Sequence, residues 1–227
     1  MFSGKYNKFL TVILTITIIA IIGLVAYFGY DMYRKYYIDK EAQEALDDFD
    51  SSFMTNGVSE ETNTTGDVNA IDPFANTEYI DPNAQGSSGN TSDGKTYKGF
   101  PMVGKIEIPK TDVEYPVLDS ASAKAIEVAV AVLTGPGLNQ PGNTVIIGHN
   151  YRNGLFFSNN KKLESGDKVY ITDTSGNRVS YTIYNKYTTS PEDAEYISRD
   201  TGGKREITLV TCTDDVKQRI VIFASAD

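Results

Sequence analysis

From Phe9 to Tyr30 the chain runs for 22 residues without a charged side chain, through Ile, Leu, Val and aromatic residues. A helix of about 20 such residues crosses the ~30 Å hydrocarbon core of a bilayer. The run must therefore be segregated from any globular unit that follows. It reads as an N-terminal transmembrane helix over 9–30, preceded by a short N-terminal segment, residues 1–8, whose cytoplasmic placement is an expectation that rests on the function considered below. A secretory signal has a shorter apolar core and a small-residue cleavage site, and Val25-Ala26-Tyr27 is a poor candidate for one. Lys5 and Lys8 precede the run, and Arg34, Lys35 and Lys40 follow it. The positive-inside count is nearly balanced and does not orient the helix.

The net charge of −9 is concentrated. Residues 41–95 hold twelve Asp and Glu against one basic residue, Lys95, leaving +2 for the rest of the chain. A protein that grips nucleic acid needs a basic face, so the charge distribution argues against that class. Residues 31–50 read as a helical continuation, with a weak apolar stripe at Tyr33, Tyr36, Tyr37, Ala42 and Leu46. Residues 51–95 are rich in Ser, Thr, Asn, Gly and Asp, a composition that buries too little to offset ordering entropy. Residues 31–95 are thus expected to be an acidic juxtamembrane helix and flexible linker.

The pattern changes near Thr96. Lys105-Ile106-Glu107-Ile108-Pro109 alternates like an edge strand closed by proline. Val113–Leu118 predicts a second strand. Ser122–Leu133 suggests a helix with a serine cap, although its Val-Ala alternation is strand-like. Strands follow near 144–148, 168–172, 178–188, 206–211 and 219–224, with a long connection over 190–204. Seven or eight short strands in about 130 residues predict a closed β-barrel over 96–227.

His149 and Cys212 are the only histidine and cysteine in the chain. Each ends an apolar run: Thr144-Val145-Ile146-Ile147-Gly148-His149-Asn150 and Ile207-Thr208-Leu209-Val210-Thr211-Cys212. Arg219 opens the next strand. A thiolate that attacks, an imidazole that moves protons and a fixed cation that steadies the oxyanion suffice for cysteine acyl transfer. A free thiol has a pKa of ~8.5 and needs help from its surroundings. Taken singly, each residue has a plain structural reading. A lone cysteine at a strand end is usually a small buried hydrophobe, and a lone arginine a surface charge.

Thr208-Leu209-Val210-Thr211-Cys212 with a downstream Arg219 resembles the sortase signature, a Thr-Leu-x-Thr-Cys strand followed by arginine on the next strand. The His149 segment, Lys105–Pro109, Tyr115-Pro116-Val117-Leu118, Leu155-Phe156-Phe157 and Leu163–Asp167 resemble further segments of that family, over roughly residues 101–225. The resemblance implies an eight-stranded barrel and a membrane-anchored transpeptidase with its catalytic domain extracellular. It implies cleavage of a C-terminal sorting motif of the Leu-Pro-x-Thr-Gly type through a thioester on Cys212. The acyl group then passes to an amine of a cell-wall (peptidoglycan) precursor or a pilin subunit. Partners would be surface proteins or pilins bearing a sorting signal. His149 and Arg219 are the implied catalytic companions, while Thr211 and Asn150 flank the site as candidate substrate-binding residues. Asp72-Pro73-Phe74 resembles the Asp-Pro-aromatic lid of pilin-type sortases, although Asp81-Pro82 nearby shows how readily such a turn occurs. No cofactor is expected: one Cys and one His do not make a transition-metal site, and calcium at loop carboxylates stays open. Asp214 and Asp215 are expected to cap the turn after Cys212.

Two other classes compete. L,D-transpeptidases resemble His-x-x-x-Ser-His-Gly-x-x-x-Cys, with His and Cys close in sequence, whereas 62 residues separate His149 from Cys212. A non-catalytic anchored barrel would tolerate Cys212→Ala without loss of function.

Overall fold

The computed structural model describes residues 4–55 and 94–227. Most of the acidic segment, with the candidate lid residues Asp72 and Phe74, lies outside the described residues. The chain divides into two compact units, Met1–Lys40 and Glu41–Asp227. Helix α1 spans Gly4–Thr55. In the first unit its large apolar side chains between Phe9 and Tyr30 point outward, each at least 45% exposed. The helix is long and apolar enough to cross a membrane.

In the second unit the same helix changes character. Ala42, Leu46 and Phe49 fall at the i, i+4, i+7 spacing of one helical face and are buried, the last two in a cluster with Met102 and Phe53. Three acidic residues of this segment are paired: Glu41 with Lys98, Asp48 with Lys95 at 2.7 Å, and Asp50 with Lys105 at 2.6 Å. The compact unit therefore starts earlier than the expected boundary at 96. The chain on either side of residues 56–93 is held by this one unit.

Among the described residues nine strands follow: β1 Thr96–Tyr97, β2 Phe100–Ile108, β3 Val113–Leu118, β4 Val130–Thr134, β5 Gly142–Ile147, β6 Lys168–Asp173, β7 Arg178–Thr189, β8 Arg205–Cys212 and β9 Arg219–Ala226. Their order is β1-β2-β3-β4-β5-β8-β9-β7-β6, and β6 pairs back onto β2. Strands β2 to β9 thus close an eight-stranded barrel, and β1 adds a short hairpin arm on β2. The expected edge strand at Lys105–Pro109 is not at an edge, because β2 is bonded to both β3 and β6. Pro109 is tolerated because it begins a 3-10 turn just beyond the ladder. The expected helix over Ser122–Leu133 is cut short. Ser122 caps it, its hydroxyl accepting from the Ala125 amide at 3.1 Å, but helix α2 covers only Ala123–Ile126. The Val-Ala alternation then forms β4, parallel to β3 and antiparallel to β5.

Side chains alternate across a strand, and register converts this into rows. Leu118 pairs with Ala131, Ala131 with Ile147, Ile147 with Val210, and Val210 with Val221. This row crosses five strands on the outer surface of the barrel. It is buried because α2 and the 190–204 connection cover it, contributing Ala125, Ile126 and Tyr196 to one apolar cluster. The alternate residues face inward: Ile146 pairs with Leu209, and Leu209 with Ile222, all fully buried. β5, β8 and β9 are therefore covered on both faces, which explains their nearly unbroken apolar sequences.

Candidate active site

One step beyond the outer row, on the same face, lie Cys212 and Arg219. They are direct cross-strand partners. Opposed residues in an antiparallel pair have Cβ atoms about 5 Å apart, so register alone sets thiol beside guanidinium. His149 stands two residues past Ile147, the last residue of β5 and the register partner of Val210, so it lies in the loop just beyond that end of the outer row. Cys212 is buried at 4% exposure and Arg219 at 3%, while His149 is half-buried. Arg219 Nη1 reaches the Gln218 carbonyl at 3.4 Å. On its other side Arg219 pairs with Thr189 of β7.

The histidine segment leaves β5 but stays tied to β8. The Gly148 amide donates to the Val210 carbonyl at 3.2 Å. The Thr211 hydroxyl, wholly buried, donates to the Gly148 carbonyl at 2.7 Å. A Cβ on Gly148 would lie 2.8 Å from Val130 and 2.9 Å from Phe157, so only glycine allows this approach just before His149. Asn150 Nδ2 donates to the Cys212 carbonyl at 2.9 Å and to Asp214 Oδ1 at 3.0 Å. The His149 carbonyl accepts from the Phe157 amide at 3.2 Å. The imidazole packs against Tyr151 at 5.0 Å between ring centroids. Tyr151 and Tyr115 in turn contact Phe156, at 5.8 and 5.0 Å. Phe156 holds a left-handed backbone, φ 51°, which is uncommon for an aromatic residue and is stabilised here by that packing.

The turn after Cys212 is organised by two carboxylates with different tasks. Asp215 accepts from the Thr213 hydroxyl at 2.6 Å and the Lys217 amide at 3.2 Å, and so caps the turn as expected. Asp214 reaches out instead. It pairs with Lys161 at 2.5 Å and with Asn150, while its carbonyl accepts from Arg152 Nη1 at 3.1 Å. The Lys161 ammonium, then Asn150, hold its carboxyl below the usual carboxylate range. It therefore stays ionised throughout the neutral range and bridges the cysteine turn to the histidine loop. Sequence alone offered no signal for this bridge, which spans 53 residues to Lys161. The Glu192 carboxyl is lowered mainly by the Ser190 hydroxyl, with the Arg219 cation adding to the effect.

The site thus sets Cys212 against Arg219, with Asn150 bonded to the Cys212 carbonyl and His149 in the loop just before it. Thr211 faces inward and is engaged with Gly148. Among the described residues no group of three or more His, Cys, Asp or Glu forms a metal site. A thiol, an imidazole and a guanidinium at the end of an apolar floor can supply a nucleophile, a proton carrier and an anion-stabilising donor.

The closed barrel, with Cys212 and Arg219 paired at its outer edge and His149 in the adjoining loop, defines a class. A Sortase domain model matches residues 106–227, more than half of the chain, and the chain belongs to the sortase family. Sortase A of Bacillus anthracis is 32% identical over 124 residues, covering 53% of this chain and 58% of that protein. Sortase A of Streptococcus agalactiae is 29% identical over 135 residues, covering 56% and 54%. The chain therefore spans little more than half the length of these relatives. The solved structure of Sortase A from Corynebacterium diphtheriae superposes with a TM-score of 0.51 at 27% identity, over 56% of this chain and 61% of that one.

Proposed function

We propose that this chain is a cysteine transpeptidase that cleaves a C-terminal sorting motif of the Leu-Pro-x-Thr-Gly type and transfers the acyl group to an amine. The observation that carries this reading is the direct register pairing of Cys212 with Arg219, with His149 tied to the same strand end through Gly148 and Asn150. Cys212 Sγ attacks the threonine carbonyl carbon as a thiolate. Arg219 donates to the carbonyl oxygen as negative charge develops there. His149 protonates the departing glycine nitrogen, the C–N bond breaks, and a thioester remains on Cys212. An incoming amine then attacks the thioester, His149 takes its surplus proton, and the thiolate leaves. Thr211 and Asn150 position the histidine segment in this scheme, and no cofactor takes part. The acceptor is an amine of a cell-wall precursor or of a pilin subunit, and the donors are surface proteins or pilins bearing the motif. The apolar 9–30 helix anchors the enzyme with residues 1–8 in the cytoplasm and the catalytic unit outside, where such substrates are found.

The test uses the full-length chain in detergent with a library of sorting-motif peptides and amines, followed by mass spectrometry. The expected products are a peptide cut after threonine and a new amide to the amine. Intact peptides across the whole library, with every amine, would remove the reading. Protease treatment of intact protoplasts checks the orientation. The catalytic unit should be digested, whereas protection equal to that of a cytosolic marker would contradict it.

A further inference from the structure

The outer face that ends at Cys212 continues away from it in two further rows: Val145, Thr208 and Phe223, then Asn143, Glu206 and Ser225. Thr208 lies four residues before Cys212, about 13 Å along the strand at ~3.3 Å per residue. It is wholly buried and Asn143 nearly so, at 7% exposure. Both are buried polar positions at the far end of the apolar floor.

Their hydrogen bonds form a chain with one allowed direction. Asn143 Nδ2 donates to the Tyr196 carbonyl at 3.0 Å and reaches the Ile197 carbonyl at 3.4 Å. Backbone carbonyls only accept, so the NH2 group must face them and Oδ1 must face the other way. Oδ1 then receives the Thr208 hydroxyl at 2.7 Å, and Thr208 must be the donor. The chain runs from β8 through β5 to the backbone of the 190–204 connection. The Tyr196 side chain, 7% exposed, packs with Val210, Val221 and Phe223 on the floor leading to Cys212 and Arg219. A second clasp lies beside the first. Arg199 Nη2 donates to Glu206 at 2.8 Å and to the Tyr184 hydroxyl at 2.5 Å, and its guanidinium sits 3.7 Å over the Phe223 ring.

We propose that Thr208 and Asn143 are positioning residues for recognition of the acyl-donor peptide: their buried clasp fixes the Tyr196–Ile197 backbone and so shapes the apolar wall along the floor that leads to Cys212. The inference rests on the transpeptidase reading. Neither residue touches the reacting atoms. Thr208 is thus more than a strand former in the run that ends at the cysteine. Its hydroxyl sets the place of a segment that follows β7, and its methyl group fills the floor. Loss of the clasp loosens the wall that the free enzyme holds ready, so binding weakens while the bond-making step is unchanged.

The test is carried out on the full-length chain in detergent with three variants. Thr208→Val is isosteric but has no donor. Thr208→Ser keeps the donor. Asn143→Asp keeps the acceptor for Thr208 and removes both donors to the loop. Steady-state kinetics with a processed sorting peptide should show KM raised about 5- to 10-fold in Thr208→Val and Asn143→Asp, the size of one lost buried hydrogen bond. Turnover should stay within about twofold, and Thr208→Ser should stay near wild type. Amide hydrogen exchange over 194–199 should quicken in the first two variants and not in the third. Unchanged KM with unchanged exchange would overturn the proposal. So would a fall in turnover alone, or a Thr208→Ser as impaired as Thr208→Val. An inactive wild type would remove the transpeptidase reading instead, and the exchange comparison would still decide whether the clasp holds the loop.

Discussion

The two faces of β8 divide the work of the molecule. The inner face, Ile207, Leu209 and Thr211, is wholly buried and meets β9 at Ala224, Ile222 and Ile220. The outer face, Glu206, Thr208, Val210 and Cys212, carries a clasp, a floor and a thiol, opposed by Ser225, Phe223, Val221 and Arg219. A period of two lets one eight-residue strand hold a barrel together and present a reactive row. The two sets are interleaved, so a slip of one residue would exchange them. Function in this fold is therefore guarded by register, and the inner face sets register.

The contrast predicts which measurement each substitution moves. Cys212→Ala should abolish acyl transfer and leave thermal unfolding nearly unchanged, because it removes one sulfur atom at the strand end. Mass spectrometry and calorimetry on the same preparation check this, and residual transfer by the pure variant would break the division. Leu209→Ala, three residues earlier on the other face, should do the reverse. It should cost ~2–5 kcal/mol in denaturant unfolding, the usual range for a large-to-small core change, while the fraction that stays folded keeps its turnover. A loss of turnover per folded molecule would show that the faces are coupled.

Arg219→Lys keeps the charge but loses the planar donor fork. Losing one oxyanion donor costs ~10²–10³ in turnover in other acyl-transfer enzymes. A loss of that order, borne by turnover and not by KM, is expected here. A raised KM with steady turnover would assign Arg219 to ground-state binding instead. Thr211→Val sharpens the contrast, because Thr211 faces inward yet its hydroxyl holds Gly148 beside His149. It should cost ~1–2 kcal/mol of stability, the penalty for a lost buried partner, together with a measurable fall in turnover. Stability loss without any change in turnover would make it a core residue only. The smallest effect belongs to Asn160, fully buried, with neither side-chain amide atom bonded among the described residues. Asn160→Leu should raise stability by about 1 kcal/mol without changing turnover. A fall in stability would reveal a partner for that amide.

Much of the barrel was legible in the sequence because strands with a buried face announce themselves by alternation or by unbroken apolar runs. Cys212 and Arg219 were legible as neighbours because six residues between two strands make a hairpin. What stayed hidden depends on distant contacts. Val130–Leu133 reads as the end of a capped helix until β3 and β5 pair with this stretch on either side. The acidic residues Glu41, Asp48 and Asp50 look like parts of a linker, and only the folded domain supplies Lys98, Lys95 and Lys105. The Thr208–Asn143 clasp spans 65 residues and then reaches backbone carbonyls, which have no signature in sequence. The Asp214 bridge was invisible for the same reason: an Asp-Asp pair in a turn looks like two caps, and one of them is a tie to Asn150 and Lys161.

The central claim is that Cys212 carries the acyl group. The most direct measurement is intact-mass and peptide-level spectrometry of the full-length chain, quenched in acid after mixing with a sorting-motif peptide and no added amine. The account predicts an adduct with the mass of the acyl fragment up to threonine, located on Cys212. It should be labile to hydroxylamine, as a thioester is, and absent from Cys212→Ala. Peptide turnover without any adduct on Cys212, or an adduct on another residue, would contradict it.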